Sequence, residues 1–332
     1  MTMTPQISQS IETRIRSITN LAKDINAFEL VSQDGGSLPA FSAGAHIDVF
    51  LNDGIVRQYS LCSDPGKTHH YVFAVLREAN GTGGSIALHD TLRAGQLLTI
   101  SAPRNNFMMS SSAVRHLFLA GGIGITPIRA MIYRCLSEVL DFELVYCTRS
   151  ADRTAFYHDL VNEHACLIHH DEGNADKNFD LKTHLATPTP GTHLYYCGPP
   201  AFMRAVMRAA AHWPAGTCHF EYFKNDPGET APDDVSAATV EDDPSEPGFQ
   251  VKIKSTDAVF TVPPDRTIVE VLRDNGIEVE TSCESGLCGT CRTRYLEGEP
   301  DHQDMILSDD ERERDVLICC ARSRSPLLVL DF

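Results

Sequence analysis

The sequence predicts a multidomain chain: an antiparallel β-barrel, then an α/β domain on a parallel sheet, then a small α+β domain. Three observations lead there. Short alternating or β-branched runs, separated by Gly, Asp, Asn and Pro, fill residues 11–110. Apolar strand-like runs alternating with a helix-period stripe fill residues 112–223. After an acidic stretch without apolar period, strand patterning returns at Phe249 and encloses clustered cysteines. The length, 332 residues, is more than one core usually needs.

Composition narrows the function classes. Forty-five Asp and Glu against 28 Lys and Arg give a net charge of −17, which argues against nucleic acid and anionic membranes as partners. No apolar run approaches membrane-spanning length, and residues 1–12 lack the apolar segment of a secretory signal. The cysteines therefore point to a reducing, cytoplasmic setting, and Cys62, Cys135, Cys147 and Cys166 read as small apolar core residues.

In the barrel, strands are expected at Arg14 to Ile18, Ala45 to Leu51, Tyr71 to Leu76 and Gln96 to Ser101. Among them lies Arg57-Gln58-Tyr59-Ser60-Leu61. Tyr59 offers a flat face to a ring system, Ser60 a hydroxyl to a ring heteroatom, and Arg57 a cation to phosphate. Gly83-Gly84-Ser85 precedes a short helix and can turn backbone N–H groups towards an anion. A strand Tyr is more often core and a Gly-Gly pair more often a plain turn. Together, upstream of a nucleotide-type motif, they favour a flavin.

The second domain opens with the buried strand Arg115 to Ala120, which runs into Gly121-Gly122-Ile123-Gly124-Ile125-Thr126-Pro127. Ile128, Met131, Ile132, Cys135, Leu136, Val139 and Leu140 then form a helical stripe, with Thr126 expected as N-cap and Pro127 as first helical residue. A helix N-terminus after a glycine-rich turn at Gly122 and Gly124 suits a pyrophosphate. Pro127 stands where the third glycine of the dinucleotide fingerprint would be, so a tight structural turn is the competing reading. Strands are expected at Phe142 to Cys147, Leu167 to His170 and Thr192 to Cys197, then Gly198-Pro199-Pro200 and a helix from Ala201 to His212. Ligands of such sheets lie at the strand C-termini.

Residues 224–248 hold eight acids and one Lys with several Pro and Gly, and read as a mobile tether. Beyond them, Val251 to Lys254 and Val259 to Pro263 form a hairpin, and Thr267-Ile268-Val269-Glu270 is a capping box opening a helix that Gly276 stops. Arg292 to Leu296 and a final strand around Leu317 to Cys320 complete a β-grasp pattern. Between helix and strands, Cys283, Cys288 and Cys291 have the C-x4-C-x2-C spacing of plant-type 2Fe–2S ferredoxins. Zinc sites favour paired C-x2-C units, and only one such pair exists here. The fourth thiolate is Cys319 or Cys320, whose side chains point to opposite faces if both lie on a strand.

With Arg57 to Cys62, Gly83 to Ser85, Gly121 to Pro127, Cys197-Gly198-Pro199, His219-Phe220-Glu221 and Cys283 to Cys291 in this order, the chain resembles the phthalate dioxygenase reductase family from about Ile11 to Phe332. The resemblance implies an FMN-binding β-barrel domain over 1–111, an NAD-binding α/β domain over 112–223, an acidic linker over 224–248 and a 2Fe–2S ferredoxin domain over 249–332. It implies NADH as donor, and a terminal Rieske-type oxygenase as the partner of a monomeric reductase. Arg57, Gln58, Tyr59 and Ser60 would meet the flavin, Ser60 near its N5, and Gly83, Gly84 and Ser85 its phosphate. Thr126 and Cys197 would lie near the nicotinamide, Phe223 near the open flavin face, and Gly122, Gly124, Gly198 and Pro199 along the dinucleotide. Cys319, ahead of Ala321-Arg322-Ser323, would be the fourth cluster ligand. Arg149 could meet a 2′-phosphate, but Asp171 and Glu172 favour ribose hydroxyls and hence NADH. Two other functions fit parts of the pattern: an NADH-dependent reductase of free flavin or ferric chelates, and an iron–sulfur sensor.

Overall fold

The computed structural model describes residues 10–51, 55–79, 83–161, 165–223, 248–263, 266–281, 286, 289–304 and 307–332. The expected tether and the cluster cysteines Cys283 and Cys288 lie outside them. The chain divides into two compact units, Met1–Glu229 and Thr230–Phe332.

The first unit begins with β1 (Ser10–Ala22), β2 (Ile25–Ser32), β3 (His46–Phe50), β4 (Val56–Ser60), β5 (Tyr71–Leu76), helix α1 (Gly84–Thr91) and β6 (Leu97–Ser101). The strands pair in the order β4-β3-β6-β1-β2-β5, and an antiparallel bridge between Leu61 and Phe73 joins the two ends into a barrel. Strand β2 escaped sequence reading because both of its faces are buried, Phe28 and Leu30 towards the barrel interior and Ile25 and Ala27 on the opposite side, so its apolar residues do not alternate. Along β5, Tyr71, Phe73 and Val75 fill the barrel. Ala74, with Val72 and Leu76, faces a different core. The continuous run Tyr-Val-Phe-Ala-Val-Leu thus follows from burial on both faces.

That second core belongs to the parallel sheet. Its elements are β7 (Arg115–Gly121), α2 (Ile125–Glu138), β8 (Asp141–Thr148), α3 (Tyr157–Leu160), β9 (Cys166–His170), α4 (Leu181–His184), β10 (Thr192–Cys197), α5 (Pro200–Ala209) and β11 (Cys218–Glu221). The strand order is β11-β10-β7-β8-β9, all parallel. The chain therefore reverses direction across the sheet between β7 and β10, which is the switch point where such folds bind ligands. One face carries Leu117, Leu119, Val145, Leu194 and Tyr196 under α5 and Trp213. The other carries Phe118, Ala120, Leu144, Tyr146 and Tyr195, and packs with Ile125, Ile128 and Met131 of α2 and with Ala22, Ile25, Cys62 and Ala74 of the barrel in a single core.

Several expectations are corrected here. Helix α2 starts before Thr126, after a 3-10 turn at Gly122–Gly124, with Gly124 as N-cap. The Thr126 hydroxyl instead donates to the Ile123 carbonyl at 3.0 Å, which removes it from capping. The apolar stripe is buried through Cys135, whereas Leu136 is exposed and Val139 is a left-handed C-cap, 90 % exposed. Helix α5 ends at Ala209, short of His212. Cys62 and Cys135 are buried as expected, but Cys147 and Cys166 are only half-buried.

The second unit contains β12 (Phe249–Ile253), β13 (Val259–Val262), α6 (Ile268–Asp274), β14 (Arg292–Glu297), β15 (Pro300–Asp301), α7 (Asp309–Arg312), β16 (Asp315–Leu317), β17 (Arg322–Ser323) and β18 (Leu327–Leu330). The main sheet runs β13-β12-β18-β14-β16, with β12 and β18 parallel at its centre. Thr267 and Glu270 make the expected capping box on α6, and Ile268, Val269, Val271 and Leu272 are buried. The expected strand at Leu317 to Cys320 is corrected: β16 stops at Leu317, and Cys319 and Cys320 lie in a turn closed by N–H groups of Cys320 and Ala321 on the Leu317 carbonyl. The last strand is β18, whose short Leu-Leu-Val-Leu run had shown no alternation.

Arg129 on α2 fastens the barrel to the sheet. Its guanidinium donates to the Cys62 carbonyl at 2.6 Å, to Tyr133 Oη at 2.6 Å and to Asp159 at 2.7 Å, and lies 4.1 Å from the centre of the Phe156 ring. Charge-assisted bonds of this kind contribute ~1.5–3 kcal/mol each when buried, and the stacked ring adds to them. Arg129→Met is expected to lower the stability of the first unit by about 2–4 kcal/mol, read as a reduced urea midpoint at an unchanged slope.

Candidate functional site

The barrel end of the site is built on β4 and α1. Along β4, Val56 and Gln58 are exposed while Arg57 and Tyr59 are half-buried, so Gln58 faces away from its two neighbours. The Tyr59 ring stacks on Phe73, with centroids 5.3 Å apart. Helix α1 begins after Gly83, which holds a φ of 90° and has no side chain with which to cap the helix. A side chain at Gly84 would collide with Arg57, whose Cγ and Nε lie 2.7 Å from the Cβ position. Guanidinium and uncapped helix N-terminus therefore converge on one spot, a suitable cradle for a phosphate. Ser85 Oγ accepts the Glu78 N–H at 3.1 Å and keeps its own O–H to donate.

At the switch point two glycine turns press together. A Cβ on Gly124 would stand 2.2 Å from the Cys197 carbonyl oxygen, and one on Gly198 would stand 3.0 Å from Gly121 Cα. Close packing alone accounts for those glycines. Gly122 differs, with a φ of 51° and no atom within 4 Å of its Cβ position, so its backbone faces open space. Pro199 caps α5, and Thr126 is buried beneath the turn. At the outer edge of the sheet, Asp171 follows β9 and accepts the Gly173 N–H at 2.7 Å. Glu172 pairs with Lys177, and Arg149 is exposed.

Barrel and sheet residues meet where β4 and β11 end. Ser60 Oγ donates to Glu221 Oε2 at 2.9 Å. In the sheet Cys197 pairs in register with Glu221, and in the barrel His46 pairs with Ser60. His46 Nδ1 lies 3.8 Å from Glu221 Oε1. Burial pushes His46 down, so it stays neutral near pH 7 and gives Glu221 no cation. Burial pushes the Glu221 carboxyl up to about 7, against the Ser60 bond that favours its ionised form. Burial, reinforced by Glu221, also pushes the Cys197 thiol up, so Cys197 acts as a small uncharged wall. Phe223, just past β11, packs half-buried against the shared core. Sequence reasoning quoted Glu221 within His-Phe-Glu but gave it no role. The signal was an acid ending an apolar parallel strand.

In the second unit Cys291 and Cys319 are 4 % and 2 % exposed, and Cys320 is half-buried. The Gly286 N–H donates to Cys319 Sγ at 3.4 Å, and Cys319 is also within hydrogen-bond reach of Cys291. A buried thiol that already accepts a backbone N–H from the cysteine loop fits a cluster ligand, since cluster sulfurs are held by such bonds. Gly286 and Gly289 have φ of 74° and 76°, the left-handed turns that bring N–H groups inward.

A barrel with an anion cradle, a parallel sheet with an open switch point and a cysteine-loop β-grasp unit define a flavin- and iron–sulfur-dependent oxidoreductase. Residues 251–324 match the family described as a 2Fe-2S iron-sulfur cluster binding domain. Residues 100–216 match the N-terminal domain of dimethylamine monooxygenase subunit DmmA-like proteins. The chain is 46 % identical over 97 % of its length to the tert-butanol monooxygenase / tert-amyl alcohol desaturase reductase subunit of Aquincola tertiaricarbonis, covering 96 % of that protein. It is 40 % identical to the phthalate dioxygenase reductase of Burkholderia cepacia, with 99 % of each chain covered. A solved phthalate dioxygenase reductase, described as a modular structure for electron transfer from pyridine nucleotides to [2Fe-2S], superposes with a TM-score of 0.70 at 39 % identity, covering 97 % of this chain and 98 % of that one. The chain belongs to the phthalate dioxygenase reductase family, and its cofactors are FMN, a 2Fe–2S cluster and NADH.

Glu221 gives this site a pH signature. Between its ordinary value of 4.5 and its folded value of about 7, the folded protein binds a proton that the unfolded chain releases. Stability therefore falls as pH rises through that window and is level above it. In flavin-free protein the stability of Glu221→Gln relative to wild type is expected to improve by ~3 kcal/mol between pH 4.5 and 7. Denaturant melts across this range check it; parallel curves for the two proteins contradict it.

Proposed function

We propose that the chain is the reductase component of a Rieske-type aromatic-ring oxygenase or O-demethylase system, a cytoplasmic monomer that delivers electrons from NADH to a terminal oxygenase. The observation that carries this reading is the intact cysteine-loop unit, with Cys319 accepting the Gly286 N–H, in the same chain as the flavin cradle. A reductase serving only small acceptors has no need of a one-electron carrier beyond its flavin. Relatives named as reductase subunits of tert-butanol monooxygenase and as phthalate dioxygenase reductase share the full length of this chain.

In this reading the bound flavin and cluster supply the conversion of a two-electron hydride into single electrons. The chain supplies placement. Arg57, Gly83, Gly84 and Ser85 hold the FMN phosphate, Tyr59 flanks the ring system and Ser60 presents its hydroxyl at N5. Thr126 and Cys197 line the nicotinamide position, with Phe223 on the open flavin face. Gly122 presents its backbone to the pyrophosphate, while Gly124, Gly198 and Pro199 shape the turns around it. Asp171 takes ribose hydroxyls. Glu221 holds Ser60 in place and, with its carboxyl pushed up to about 7 by burial, would hold a proton beside the Ser60 hydroxyl near neutral pH. Cys283, Cys288, Cys291 and Cys319 bind the cluster.

Two experiments test these assignments. Arg57→Ala and Ser85→Ala are expected to weaken FMN retention roughly tenfold to a hundredfold, the cost of a lost charged hydrogen bond, seen as flavin released on dilution. Ser60→Ala should slow hydride transfer more than it loosens FMN, as stopped-flow bleaching of the flavin would register. For the cluster, Cys319→Ser should lose the red-brown absorption and all electron delivery to a Rieske oxygenase, yet still reduce ferricyanide with NADH. Cys320→Ser should keep both activities. The opposite pattern makes Cys320 the ligand, and oxygenase reduction by a cluster-free variant refutes the electron route.

A further inference from the structure

Among the described residues Asp304 is the one buried Asp or Glu, its side chain 0 % exposed. A carboxylate so placed costs several kcal/mol unless it is paired, and its partners among the described residues include the following. The Leu307 N–H donates to Oδ2 at 2.9 Å. Arg312 on α7 donates to the Asp304 carbonyl oxygen at 2.8 Å and stands 3.5 Å from Oδ2. His302 Nδ1 lies 3.4 Å from Oδ1. The backbone of Asp304 in turn abuts the cysteine loop. A Cβ on Gly286 would lie 3.0 Å from Asp304 Cα, 3.3 Å from Asp304 Cβ and 2.6 Å from Cys320 Sγ. Gly286 is also the residue whose N–H reaches Cys319 Sγ. A buried carboxyl, a partly buried guanidinium and an imidazole are thus packed one residue away from the Cys319 thiol.

We propose that Asp304, bonded by Arg312 and flanked by His302, is a positioning residue that seats Gly286 beside Cys319 and sets the reduction potential of the cluster. The inference rests on the assignment of the cluster to Cys283, Cys288, Cys291 and Cys319. Adding an electron to a cluster beside a carboxylate is opposed by that carboxylate and assisted by the arginine. The two charges therefore act with opposite signs, which no purely structural clamp would do.

The test is an EPR-monitored redox titration of the full-length holoprotein, with iron and sulfide counted in each sample. Asp304→Asn, close in shape, is expected to shift the cluster midpoint to more positive potential. Arg312→Gln, at a partly exposed position, is expected to shift it to more negative potential. Both should retain a full complement of iron. Midpoints unchanged in both variants, or moved in the same direction, overturn the proposal. Should Asp304→Asn lose its iron, Arg312→Gln decides alone: a negative shift supports the proposal, and an unchanged midpoint leaves Asp304 a structural clamp only and overturns it. Absence of a 2Fe–2S signal from the wild-type holoprotein would instead defeat the cluster assignment itself.

Discussion

The hydrogen bond from Ser60 to Glu221 spans 161 residues of sequence and joins the last residue of a barrel strand to the last residue of a parallel strand. It forms only because the barrel and the sheet share one apolar core. Ala22, Ile25, Cys62 and Ala74 on one side pack with Ile125, Ile128 and Met131 on the other. Arg129 and Lys23 close the same seam with polar contacts, Lys23 through its N–H to the Asp152 carbonyl at 2.7 Å. Were the two layers free to slide by an ångström, the serine would lose its partner.

Two enclosed acids, Glu221 and Asp304, sit in opposite surroundings. Glu221 faces a hydroxyl, a thiol and a neutral imidazole, so burial dominates and its proton is held up to about 7. A group poised there can exchange a proton at neutral pH, which suits a position beside redox chemistry. Asp304 instead has Arg312, His302 and the Leu307 N–H around it. The two acids lie in different units of the chain.

Much of this was legible in local pattern. The Thr267–Glu270 capping box, β5, β10, the C-x4-C-x2-C spacing and the Gly-Gly-Ser turn each depend on residues within a few positions of one another. Where signals were read beyond their reach, they failed. Thr126 has the chemistry of an N-cap, but the glycine turn before it already coils, so the helix starts earlier and its hydroxyl is spent on Ile123. Strand β18 lacks alternation because it is the central strand of its sheet and is buried there. Alternation along a strand could not separate Cys319 from Cys320, since both lie in a turn.

The sequence by itself determined the order of the modules and the 2Fe–2S spacing, because spacings and turn residues encode chemistry locally, while FMN and NADH followed from the family resemblance those motifs carry. Tertiary structure alone decided the environments. It brought Arg57 against Gly84, aimed the Gly286 N–H at Cys319, removed cations from Glu221 and supplied them to Asp304. Those outcomes depend on contacts between residues tens to hundreds of positions apart. A carboxylate's charge state or a thiol's role is set by what surrounds it in space, and a linear pattern does not contain that.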